Sequence, residues 1–174
     1  MIADIVRYLV AGADMRMWRA IGILSVTLAA PLSASAFDYS RYEPGDLDAM
    51  VRRVRPETGA DIFQPRNYRL VVRLEKHAQE CDGRFMKMAM KTVGIPPDQV
   101  DQVPISKCIL VKSKGGNVVP MFIQNTVADF LAQEVTKDSA FTVYVLFVYV
   151  GPDGPGLLVN EFSTDTTPPT PSPT

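Results

Sequence analysis

The sequence predicts a mainly β domain with two or three helices, and three observations carry that expectation. Residues 139–150 are almost all β-branched, aromatic or large aliphatic, the composition of a strand. In an extended chain Phe141, Val143, Val145, Phe147 and Tyr149 point to one side, and Tyr144, Leu146, Val148 and Val150 to the other. Neither side can face water, so both are expected to be covered. Each buried Val, Leu or Phe contributes roughly 1.5–3 kcal/mol, and the run is too short to cross a bilayer as a helix. Second, Tyr68, Leu70, Val72 and Leu74 alternate with Arg69, Arg73 and Glu75, the pattern of a strand with one wet face. Third, Gly115-Gly116-Asn117 and the dense Gly/Pro run at residues 151–156 punctuate the apolar segments as turns do.

The 174 residues suit one globular domain with dispensable ends. Residues 1–36 read as a secretory leader, with translation starting at Met15 or Met17. Arg16 and Arg19 form the positive start, residues 21–30 the apolar middle, and Ala34-Ser35-Ala36 the small-residue cleavage pattern. Cleavage after Ala36 places the mature protein in the periplasm or outside the cell, with no membrane span of its own. It also removes Arg7, Arg16, Arg19, Asp4 and Asp14, leaving 15 basic against 17 acidic residues, about −2. That balance lacks the basic excess of a nucleic-acid binder. The two cysteines, Cys81 and Cys108, are expected to form a disulfide in an oxidising compartment; a redox or metal-binding pair would favour a C-x-x-C spacing.

Taken in order, residues 37–65 are a lead-in with one short helix over 47–54. Asp46 caps that helix, Leu47, Met50, Val51 and Val54 form its apolar stripe, and Pro56 stops it. Arg52, Arg53 and Arg55 could be read as an anion site, but a solvated helix end matched to the dipole explains them without a ligand. The main domain spans 66–162. After the strand at 68–75, a helix with Phe85, Met86, Ala89, Met90 and Val93 on one side ends at Gly94. Residues 95–104 read as an irregular loop with proline boundaries. A hairpin follows, from residue 108 to residue 124, with Pro120 marking an edge or a bulge. A helix through Val135 leads into the 139–150 strand, and a last strand covers 157–162. The Ser/Thr/Pro tail at 163–174 has no apolar residue past Phe162 to offset the cost of ordering and is expected to be disordered.

A helix between the third and fourth of five strands resembles, in element order alone, the OB-fold, a partly open five-stranded barrel. An SH3-like barrel, or an antiparallel sheet with helices on one face, fits the same order.

Site signals are sparse. No glycine-rich phosphate loop, HExxH or EF-hand pattern is present, so no cofactor is expected. His77 is the sole histidine and lies four residues from Cys81, which makes it the only candidate base for a hydrolase. Met86, Met88 and Met90, with His77, offer soft donors that would suit Cu(I) if the segment were extended; methionine also fills cores. Arg69 and Arg73 on the wet face of the first strand, with Lys112 and Lys114 near the hairpin tip, form a candidate surface for an anionic polymer. The expectation is therefore an exported, non-enzymatic binding domain of the cell envelope, its partner an envelope protein or an anionic polymer. A copper-handling protein and a His77-dependent hydrolase are the alternatives.

Overall fold

A computed structural model describes residues 37–53 and 56–166. The expected leader and most of the expected tail lie outside the described residues. The chain from Tyr39 onward forms one compact unit.

Its elements are β1 (Glu43–Pro44), α1 (Leu47–Val51), β2 (Asp61–Glu80), α2 (Arg84–Thr92), α3 (Pro97–Gln102), β3 (Lys107–Lys112), β4 (Val118–Ile123), α4 (Asn125–Glu134), β5 (Ala140–Gly151) and β6 (Gly154–Ser163). The strands make one six-stranded mixed sheet in the order β1-β2-β3-β4-β6-β5, and β5 pairs back onto β2. β1 lies parallel to β2 and β4 parallel to β6; the other pairings are antiparallel.

The alternation in β2 works as the residues require. Leu70, Val72 and Leu74 are buried, while Arg69, Val71 and Arg73 face outward and are largely exposed or half-buried. The strand starts earlier than the alternation suggests, at Asp61, because Asp61 and Ile62 pair with Val150 and Tyr149. A register shift between Ile62 and Arg66 absorbs Pro65, which has no N–H to give the ladder.

β5 is buried on both faces. Phe141, Val143, Val145 and Phe147 enter the main core together with Leu70, Leu74, Ile109, Met121, Leu131 and Leu157. Tyr144, Leu146 and Val148 point the other way and are equally sheltered. The Tyr39 ring packs tilted and the Tyr42 ring edge-on against Tyr144, with ring centroids 4.8 and 5.4 Å away, and α2 packs against β5 further along. A register shift between Phe147 and Tyr149 reverses the expected sides of the last residues. Val150 joins the core, while Tyr149 turns out to meet Phe85 at 4.8 Å and lie over Gly156.

Several local expectations change. Residues 37–45 are not a loose lead-in: they hold a 3-10 turn at Tyr39–Arg41 and β1, and Asn160 Nδ2 donates to Tyr42 Oη at 3.1 Å. The first helix ends at Val51. The loop expected at 95–104 contains α3, whose Pro97 sits in the first turn where a missing N–H costs nothing. Pro120 falls where β4 has β3 on one side and no β6 partner on the other, since β6 pairs only with Phe122 and Ile123.

Cys81, just after β2, is bonded to Cys108 in β3 across a Cα separation of 5.7 Å. The bridge closes a 27-residue loop that holds α2 and α3. In the chain-entropy account a loop of this size restricts the unfolded state by roughly 3–4 kcal/mol. Among the described residues no helix is long and apolar enough to cross a membrane.

Candidate functional site

A groove beside the outward face of β2 is built by α1 and the β3–β4 turn. Asp46 begins α1 by accepting from the Asp48 and Ala49 N–H groups at 2.9 and 3.2 Å. Two residues on, in the first turn of α1, Asp48 reaches across to the β3–β4 turn. Its carboxylate accepts from Ser113 Oγ, from Gly115 N at 2.7 Å and from Asn117 Nδ2 at 2.7 Å. The hydrogen bonds from Ser113 and Asn117 hold the Asp48 carboxyl below the usual carboxylate range. A Cβ on Gly115 would stand 2.7 Å from Asp48 Oδ1, so only glycine lets this backbone approach the carboxylate.

That clamp fixes Arg52 and Lys114 on one side of the groove. Arg69 and Val71 come from β2, and Thr142 and Thr166 close the other side. The enclosed volume is about 510 Å³. Val71 is 54 % exposed, an apolar residue on what the alternation makes a polar face. Thr142 Oγ1 donates to the Asp165 carbonyl at 3.0 Å, which ties the chain after β6 to the groove wall.

The four cations expected to form a surface do share one outward face, but not one role. Arg69, Val71 and Arg73 alternate along β2, and Arg73 lies directly opposite Lys112. Arg69 and Lys114 line the groove. Arg73 and Lys112 lie beside it and are engaged: Arg73 Nη1 donates to the Asp138 carbonyl at 3.0 Å, and Lys112 Nζ pairs with Glu75 at 2.6 Å. The Glu75 bond and charge raise the Lys112 ammonium and lower the Glu75 carboxyl. Arg52 makes only a loose 3.9 Å contact with Asp46. Among the described residues Arg69 and Lys114 make no ion pair. Both remain available to an anionic ligand.

The other candidate residues are placed differently. Met86 and Met90 are buried under α2, whereas Met88 is 44 % exposed on its opposite side, so the helix keeps the three thioethers from converging. His77 stands in β2 with its Nδ1 enclosed and without a hydrogen-bond partner among the described residues. Its sequence neighbour Cys81 is in the disulfide and offers no thiolate. Among the described residues no three His, Cys, Asp or Glu side chains gather to hold a metal.

Val71, Thr142 and Thr166 are not site candidates in the sequence, and Arg52 is weighed there as part of an anion site only to be read as a solvated helix end. Val71 left a readable trace, an apolar side chain between two arginines on a wet face. The others become neighbours only through pairings distant in sequence. Comparison of the chain with protein-family models, with curated proteins and with solved structures finds no match in any of the three.

Proposed function

We propose that this chain is an exported, non-enzymatic binding domain of the cell envelope, built as an OB-like barrel, that takes an extended anionic ligand along the groove beside β2. The circuit of pairings from β2 through β3, β4, β6 and β5 back to β2, with α4 between β4 and β5, supports the barrel reading. The leader pattern and the Cys81–Cys108 bridge support export.

The observation that carries the binding role is the meeting of Arg52, Arg69 and Lys114 around exposed Val71. Guanidinium and ammonium groups suit carboxylates, sulfates or phosphates, and the apolar floor suits the ligand's backbone between its charges. Asp46 and Asp48 line the same groove and offset part of this charge, so three cations against two carboxylates leave one net positive charge; their oxygens are bonded to the helix cap and the turn, and neither pairs with Arg69 or Lys114.

Calorimetric titration with polyglutamate at low and high salt tests the reading. Binding should weaken as salt rises. The variant Arg69→Glu with Lys114→Glu should bind at least about tenfold more weakly, since each exposed charge contact is worth on the order of 1 kcal/mol. Equal binding of neutral dextran, or an unaffected double variant, would remove this function.

A further inference from the structure

The chain does not leave the groove when its last strand ends. β6 finishes at Ser163, which lies opposite Thr142 in the ladder with β5. The Asp165 N–H then donates to Ser163 Oγ at 3.1 Å, and the Asp165 carbonyl accepts from Thr142 Oγ1 at 3.0 Å. Thr142 is buried, so its hydroxyl relies on a partner within the protein rather than on water. The two bonds hold the chain against the groove, and Thr166 lines it together with Arg69, Val71 and Lys114.

Charge follows the same path. Residues 163–174 contain a single charged side chain, Asp165. Arg69 lies opposite Tyr144 in the ladder of β2 with β5. Burial raises the Tyr144 phenol, Arg69 lowers it and Asp165 raises it again, so both charges reach the same ring. Arg52, Arg69 and Lys114 exceed the two carboxylates lining the groove by one charge. The Asp165 carboxylate matches that excess. An entering anion therefore meets a wall and a like charge that the chain itself supplies.

We propose, taking the groove as the anion site described above, that residues 164–166 are an autoinhibitory strap along it. The hydrogen bond from Thr142 to Asp165 holds the strap in place, and the ligand gains the groove as the strap lifts. The apparent affinity is then the intrinsic one reduced by the fraction of molecules whose strap is lifted.

The full chain and its Asp165→Asn and Thr142→Val variants are titrated with polyglutamate at low salt. Asp165→Asn removes the like charge and should bind about two- to fivefold more tightly, the range that one exposed charge pair spans. Thr142→Val fills the same space without the donor, so it frees the strap and should also tighten binding. In the unaltered chain the heteronuclear NOE of the Asp165 and Thr166 amides should fall as polyglutamate saturates, while that of Val71 holds. Salt-sensitive binding by the unaltered chain, with no tightening in either variant, would overturn the strap and leave the groove reading standing. So would a Thr166 NOE that is the same with and without ligand. Absence of binding by all three chains would remove the groove reading and the strap with it.

Discussion

The two faces of β5 are covered by different means. Its inner face meets side chains from across the sheet: Phe141, Val143, Val145 and Phe147 share one cluster with residues of β2, β3, β4, β6, α1 and α4. Its outer face is covered piecemeal, by Tyr39 and Tyr42 over Tyr144 and by Phe85 of α2 beside Tyr149. A face sealed by many strands has nowhere to relax when an atom is lost. One sealed by short attached segments can yield locally.

The largest expected effect follows from that contrast. Phe147→Ala leaves a hole where Phe63 and Tyr68 meet the Phe147 ring and should cost roughly 3–5 kcal/mol in denaturant unfolding. Tyr39→Ala on the outer covering should cost only about 0.5–1.5 kcal/mol, the scale of an aromatic pair. Similar losses at both sites would erase the distinction between the faces.

A middling effect is expected at Gly156→Ala. A Cβ there would lie 2.2 Å from Cε1 of the Tyr149 ring, so the ring must leave its place over the strand. Overpacking of this kind costs typically 1–3 kcal/mol. The displacement has its own signature. Burial, with Asp153 nearby, pushes the Tyr149 phenol up to about 12, so the native fold gains stability below the ordinary tyrosine value and loses it as pH rises through about 12. In Gly156→Ala, absorbance titration of the phenol should move back toward about 10.

The smallest effect is at the clamp. Asp48 is held below its ordinary value, so its contribution is present above the unfolded pKa and disappears as pH falls through the lowered native one. Asp48→Asn should flatten the acid limb of a stability–pH curve below about pH 4 while leaving the neutral baseline folded.

How much of this was legible in the sequence depends on range. The inward residues of β2 and β5, the cap at Asp46, the left-handed stop at Gly94 and the turn at Gly115-Gly116 are local events, and composition and period reveal them. The disulfide followed from the cysteine pair and its expected compartment. The return of β5 to β2 and the parallel contact of β4 with β6 depend on side chains far apart in sequence, which no period encodes. The alternation puts Tyr149 on the inner side, and the register shift after Phe147 turns it outward. The groove was half visible. Arg69 and Lys114 were readable as candidates, but Arg52 looked like an ordinary helix end until Asp48 fastened that helix to the turn.

Amide chemical-shift mapping during a polyglutamate titration tests the groove beside β2 most directly. Shifts should concentrate at Arg52, Arg69, Val71, Lys114 and Thr142, fade at high salt, and leave α4 unmoved. Shifts centred elsewhere, or none at ligand concentrations that saturate binding, would contradict it.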